Sequence, residues 1–119
     1  MMQQAVDLEA ALARIDEYFS PRIVGYYNDS KILLGKLKGE FVWHAHPDTD
    51  DLFLVLSGRL VIQLRDGDIE LGPGELYVVP RGVEHCPRAD EEAHVLLIEP
   101  RGTPNTGDSG VEPAPEWEL

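Results

Sequence analysis

Short apolar runs separated by turn residues fill the chain from residue 22 to residue 100, and this pattern predicts a β-rich domain. The predicted strands are Ile23–Tyr27, Lys31–Leu37, Glu40–His46, Leu52–Leu56, Leu60–Arg65, Asp68–Leu71, Glu75–Val79 and His94–Glu99. Asp66-Gly67 lies between two alternating runs and is a strong hairpin signal. Many short strands at near-regular spacing indicate an all-β fold, as an antiparallel sandwich, jelly roll or barrel.

The segment before the strands, residues 1–21, has the spacing of a short N-terminal helix. Asp7 is a suitable N-cap, and Ser20-Pro21 ends the helix because proline cannot continue it. The apolar positions that form one face of this helix are Leu8, Leu12, Ile15 and Phe19. We expect the helix to cover one edge or one end of the barrel.

The segment after the strands, residues 101–119, contains glycine and proline at short intervals and shows no periodicity. This composition predicts an extended or partly disordered C-terminal tail. Trp117 leaves two possibilities open: the tail docks, for example on a partner subunit, or it stays in solvent. The predicted organisation is thus a helix in 1–21, one barrel domain in 22–100 and a tail in 101–119.

The charge of the chain excludes some partners. Ten basic and 22 acidic residues give a formal net charge of -12, which repels nucleic-acid phosphates and anionic membrane surfaces. We therefore expect neither nucleic acid nor a membrane as partner. Cys86 is the single cysteine, so an intramolecular disulfide and a thiolate metal cluster are both impossible. The N-terminus lacks the pattern of a signal peptide, which predicts a cytoplasmic location.

Two histidines, His44 and His46, occupy alternate positions of a predicted strand and should leave it on one face. An acidic run follows, and its last member, Asp51, opens the next strand, which can fold back beside the histidines. His85 follows the turn Pro80-Arg81-Gly82, at a point that can face the same interior of an antiparallel barrel. Imidazoles with one carboxylate are a common set of metal ligands.

Each of these signals has an ordinary structural explanation when it stands alone. A His-x-His pair is weak evidence for metal, the acidic run Asp48, Asp50 and Asp51 is typical of a solvated loop, and His85 is typical of a surface or core histidine. We interpret His94 as structural or at the surface, and Cys86 as buried and inert. The aromatic residues expected in the core or at a subunit interface are Phe41, Trp43, Phe53 and Tyr77.

The combination resembles the cupin family, whose first motif runs from a glycine through His-x-His and a glutamate to a second glycine. The matching positions are Gly39, His44, His46, Asp51 and Gly58. The second motif runs from a glycine through Pro-x-Gly to a histidine, and the matching positions are Gly74, Pro80, Gly82 and His85. The match covers residues 31–100 and is most similar to small single-domain cupins described as mannose-6-phosphate-isomerase-like. The run Thr103–Gly107 also looks like the tail of that group.

This resemblance implies a double-stranded β-helix, or jelly-roll barrel, and a metal held by His44, His46 and His85. Asp51 stands where the family has glutamate, and its shorter side chain leaves direct ligation, ligation through water and no ligation as alternatives. Gly39 is one residue closer to His44 than in the family pattern, and Ala89 replaces an asparagine that is not a ligand. The implied cofactor is one divalent transition metal, with Fe, Ni, Mn, Zn and Cu all suitable.

Three functions are compatible with this sequence. The first is a metal-dependent enzyme, an oxygenase or isomerase, acting on a small oxygen-rich molecule. The second is a non-catalytic module that binds metal or a small ligand, and the third is a metal-free dimeric scaffold. Glu40 and Glu84 are possible general bases, although nothing in the sequence singles them out. Small cupins of this kind pair as homodimers, which would cover exposed sheet edges.

Overall fold

An antiparallel β-sheet forms most of the computed structural model, which describes residues 4–119; residues 1–3 of the predicted N-terminal segment lie outside this range. The elements within it are α1 (Leu8–Leu12), β1 (Arg22–Tyr27), β2 (Ser30–Glu40), β3 (Asp51–Ser57), β4 (Leu60–Leu64), β5 (Gly67–Leu71), β6 (Leu76–Val79) and β7 (His85–Pro100). The strand order is β1-β2-β7-β3-β6, and β4 pairs with β5 and β7. The predicted all-β, antiparallel jelly-roll class with a short N-terminal helix is confirmed.

The long strand β7 organises the sheet. One side of it pairs with β2 over most of its length, from Ser30↔Pro100 to Glu40↔Arg88. Its other side pairs first with β4, beginning at Leu64↔His85, and later with β3. Strands from both halves of the chain therefore meet on β7.

The core follows from the alternation of side chains along the strands. One face of β3 carries Asp51, Phe53 and Val55, all buried, with Phe53 and Val55 in the main apolar cluster. The strand β2 is buried on both faces. Its residue Leu34 turns outward and packs with Leu12 and the rest of the α1 segment in a second cluster. α1 therefore covers the outside of the sheet, and the inward faces of β2, β3 and β7 are left to shape the interior.

The predicted helix is wrong in its extent, because regular helix ends at Leu12. The apolar residues that extended the helical spacing pack by a different route, and Ile15 is buried whereas Phe19 is half-buried. Ile15 follows in a tight turn, and Phe19 adopts a positive φ of 53° while its N–H donates to Lys36 O at 2.9 Å. Among the described residues, no helix is long and apolar enough to cross a membrane.

Two strand predictions also need correction. Lys31–Leu37 and the start of Glu40–His46 belong to one strand, β2, whereas residues 41–46 are irregular apart from a single bridge between His44 and His85. The predicted strand His94–Glu99 is the second half of β7. The Asp66-Gly67 hairpin signal is confirmed, since β4 and β5 pair around it with Leu64 opposite Gly67.

The C-terminal segment, predicted as an extended or partly disordered tail, is folded against its own chain. Ile23 N–H donates to Trp117 O at 2.8 Å, and Leu119 N–H donates to Ile23 O at 2.9 Å. The Trp117 ring is 57% exposed, and the Arg22 guanidinium lies 5.4 Å from its centre. The tail therefore docks on β1, and Asn105 and Glu116 from it reach the interior of the barrel.

Candidate metal centre

Four buried side chains meet at one end of the barrel: His44, His46, Asp51 and His85. They are only 1–4% exposed. Asp51 is the first residue of β3 and His85 the first of β7. Reciprocal backbone bonds of 3.0 and 2.9 Å join His44 to His85 and thereby hold the irregular 41–46 segment beside β7. The structure thus brings together all four residues that the sequence predicted as metal ligands.

Their ligand atoms have the separations of a coordination shell. Asp51 Oδ2 lies 3.3 Å from His46 Nε2 and 3.5 Å from His85 Nε2, and one ligand atom from each of the four residues lies within 4.8 Å of the others. Bonds of about 2.1 Å to a tetrahedral ion place neighbouring ligand atoms roughly 3.4 Å apart. The two carboxylate–imidazole distances match that spacing and are long for good hydrogen bonds.

The backbone fixes the orientation of two rings. His44 Nδ1 lies 2.8 Å from Val42 O, and His85 Nδ1 lies 2.9 Å from Val83 O. A neutral ring whose Nδ1–H donates to such a carbonyl has its lone pair on Nε2. In both cases the carbonyl belongs to the residue two positions earlier, so local chain geometry directs each Nε2 toward the common point.

Burial sets the charge of the site. Desolvation lowers the pKa of His44 to about 4, so this ring is neutral at physiological pH. Burial alone would raise the pKa of Asp51, but the adjacent His46 and His85 rings hold it below its usual value, and the carboxylate is ionised. A neutral imidazole and an ionised carboxylate are the protonation states that metal binding requires.

Three polar atoms in the cluster are buried without a hydrogen-bond partner: His46 Nε2, His85 Nε2 and Asp51 Oδ1. Buried polar atoms are normally paired, and an unpaired one costs about 1–3 kcal/mol. A divalent ion at the common point would satisfy the two nitrogens directly. The residues present therefore fit a metal, and three nitrogens with one oxygen leave positions open for a further ligand.

A cavity of about 60 Å³ lies beside the cluster, and His44 and Asp51 form part of its wall. Its apolar lining includes Phe19, Leu33, Leu37, Phe41, Phe53 and Leu97. The volume suits a few waters or part of a small molecule. Of the four aromatic residues assigned to the core or to an interface, Phe53 is in the core, and Phe41 and Phe53 also face this cavity.

Sequence reasoning missed the polar wall of the cavity, which consists of Glu99, Asn105 and Glu116. Burial, with the negative charge of Asp51 as the next cause, raises the pKa of Glu99 to about 8. Lys31, also buried, lies 3.7 Å from Glu99 and is paired with Glu116. Alternation on β7 places Glu99 on the same face as Val95 and Leu97, a signal from which Glu99 could have been found.

The two glutamates considered as general bases lie elsewhere. Glu40 is exposed and accepts a hydrogen bond from Gln63, and Glu84 is exposed and paired with Arg65 at 3.2 Å. Both are outside the cavity lining, whereas Glu99 is part of it.

The remaining predictions for polar residues agree with the structure. His94 is partly exposed and lies 2.6 Å from Glu92, away from the cluster. Cys86 is fully buried, and desolvation raises the pKa of its thiol. Asp48 and Asp50 are exposed loop residues, and Asp50 accepts a hydrogen bond from Arg81 N.

Comparison with known proteins gives a consistent picture. Residues 35–99 match the model of the Cupin domain family. The Bacillus subtilis protein YdbB is 32% identical over 99 residues, which are 82% of this chain and 88% of YdbB. The crystal structure of a cupin-2 domain containing protein from Shewanella frigidimarina has a TM-score of 0.80 and 45% identity, with 81% of this chain and 94% of that one covered.

A more distant relative has a name that refers to a reaction. SSO1533 of Saccharolobus solfataricus, named as a candidate dioxygenase, is 28% identical over 94 residues. The match covers 74% of this chain but only 24% of SSO1533. This chain therefore corresponds to about a quarter of that larger protein.

Proposed function

Because this chain belongs to the cupin family, we propose that it is a metal-dependent enzyme that acts on a small oxygen-rich molecule, as an oxygenase or an isomerase. The observation that carries the proposal is the convergence of four buried donor groups, three of whose atoms lack a hydrogen-bond partner, beside a cavity. The name of the relative SSO1533 favours the oxygenase class. His44, His46, His85 and Asp51 would hold one divalent transition metal, Fe, Ni, Mn, Zn or Cu.

When bound, such a metal supplies a Lewis acid or a redox centre for dioxygen. The chain supplies the surroundings. Phe41 and Phe53 give the cavity an apolar wall, and Glu99 places a buried carboxyl group close to Asp51. We propose Glu99 as the group that gives or takes a proton, because among Glu40, Glu84 and Glu99 it is the one that lines the cavity.

The test begins with elemental analysis of protein purified without a histidine tag. The protein is then reloaded with each candidate metal and assayed for dioxygen uptake and for product formation with a panel of small hydroxy, keto and phenolic compounds. Metal-dependent turnover supports the enzyme. Bound metal without turnover across the panel favours a binding module, and metal far below stoichiometry favours the scaffold.

A matched pair of variants sharpens the enzyme assignment. Glu99→Gln should lower kcat by about 100-fold or more, the usual contribution of a general acid or base, and should keep its metal. Glu84→Gln makes the same chemical change at an exposed position and should leave kcat unchanged. Equal activity of the two variants would remove Glu99 from the proposed reaction.

We also propose a homodimer and a cytoplasmic location. The location rests on the sequence alone. The dimer is supported by β6, which lies at the edge of the sheet formed by the described residues and leaves Leu76 57% and Val78 39% exposed. A symmetric partner would cover this edge. Light scattering at micromolar concentration should give twice the chain mass of 13.3 kDa, and a monomer would contradict the proposal.

A further inference from the structure

The C-terminal segment touches the histidine pair directly, through a turn formed by residues 105–108. Ala45, which lies between His44 and His46, has both of its backbone polar groups bonded to Asp108. Its N–H donates to Asp108 Oδ1 at 2.8 Å, and its carbonyl accepts from Asp108 N–H at 3.0 Å. The backbone between the two histidines is thus held by a residue that is 63 positions away in sequence.

This attachment matters because the histidine segment lacks a regular ladder of its own. On the β7 side, residues 41–46 are held by the His44–His85 pair of bonds and by Phe41 N–H donating to Pro87 O at 2.9 Å. His46 O accepts from Gly82 N–H at 2.9 Å. The two bonds to Asp108 satisfy the backbone N–H and carbonyl of Ala45, which lies between the two rings.

Gly107 brings the turn into contact with a ligand ring. It has a φ of +54°, and a methyl group built on it would overlap Ala45 O and lie 2.8 Å from His44 Cδ2. Only a residue without a side chain allows this approach. The turn is itself fixed, because Asn105 Nδ2 donates to Ala114 O at 2.8 Å and Thr106 Oγ1 donates to Val111 O at 2.7 Å.

We propose that the 105–108 turn is a positioning element of the metal centre, with Asp108 and Gly107 fixing His44 and His46 for metal binding. The inference rests on the proposed metal function and assigns to residues 101–119 a role in the site. Asp108 acts through Ala45, so it is a positioning residue and not a ligand.

The experiment compares three variants by titration with Co²⁺, whose d–d absorption reports ligand geometry. Asp108→Ala removes the acceptor of the Ala45 N–H and should weaken Co²⁺ binding by about 10- to 100-fold, the range found for groups that orient metal ligands. It should also alter the d–d spectrum. Asp108→Asn keeps an acceptor oxygen and should restore both the affinity and the spectrum. Glu112→Ala removes an exposed negative charge of the same segment and should match the wild type.

A second pair separates crowding from backbone strain. Gly107→Ala and Gly110→Ala both place a side chain at positive φ, but Gly110 has nothing within 4 Å of the added methyl group. Gly107→Ala should weaken Co²⁺ binding and shift the spectrum, whereas Gly110→Ala should do neither. Equal behaviour of the two variants would overturn the role of Gly107.

Amide exchange measured by NMR in metal-free protein tests the contact between Asp108 and Ala45 independently of metal binding. Exchange at Ala45 N–H should accelerate in Asp108→Ala and stay protected in Asp108→Asn, while His85 N–H, bonded to His44, should be unchanged. Unchanged Ala45 exchange, or normal Co²⁺ binding by Asp108→Ala, overturns the positioning role and leaves the metal function standing. A wild-type chain that binds no Co²⁺ but shows the expected Ala45 response overturns the metal function and supports the contact.

Discussion

His46→Ala and His85→Ala are each expected to abolish stoichiometric metal binding while the protein still folds. Each change removes one of three imidazoles from a set in which His46 Nε2 and His85 Nε2 lie 3.3 and 3.5 Å from the same Asp51 oxygen. Loss of a ligand should cost more than the about 10- to 100-fold lost with an outer partner. Isothermal titration and elemental analysis measure the effect directly.

We expect the fold to survive these substitutions, because the two rings serve as metal ligands and contribute less to the free energy of folding. Each has a buried Nε2 without a hydrogen-bond partner, so truncation also removes an unfavourable term. A cooperative urea transition with an unchanged m-value would confirm that the native state persists. His94→Ala is the matched control, since His94 is paired with Glu92 outside the cluster and its loss should leave the metal in place. Full metal occupancy in His85→Ala would disprove the proposed centre.

The site was predictable from sequence to the extent that it depends on fixed spacing. His44, Asp51 and His85 each stand at a motif position, and the family resemblance alone was enough to bring them together. The backbone conformation of the segment that carries His44 and His46 could not be predicted from motif spacing. His44 and His46 were assigned to a regular strand, yet their segment is irregular and is held by contacts to His85 and to Asp108.

The errors elsewhere have the same cause, which is that tertiary contacts override local patterns. Phe19 continues a helical spacing, but its ring stacks on that of Phe41 with the ring centres 5.2 Å apart, and its backbone N–H bonds to β2. The tail has no periodicity, so its contacts could not be read from it. Asn105 lines the cavity and donates to Glu116 Oε2 at 3.0 Å, and Glu116 is paired with Lys31, which is far away in sequence.

Removal of metal should lower the thermal midpoint of the wild-type protein by about 10 °C or more. A ligand that binds only the folded state at 1,000 times its Kd contributes about 4 kcal/mol, a large part of the 5–15 kcal/mol by which a domain is stable. For a domain of this size each kcal/mol corresponds to roughly 3–6 °C. The unfolded chain offers no comparable site, because Asp51 and His85 lie far apart in sequence and come within 3.5 Å of each other in the folded barrel.

The structure gives a physical reason why removal of metal should lower the thermal midpoint strongly. The buried Asp51 carboxylate faces His46 and His85 at distances too long for good hydrogen bonds, so their mutual contacts compensate the desolvation of these groups poorly. Calorimetry with metal and with excess chelator measures the difference, and the same pair of scans on His85→Ala should show none. An equal midpoint with and without metal in the wild type would mean that the four groups are held together by the barrel alone, as the scaffold alternative requires.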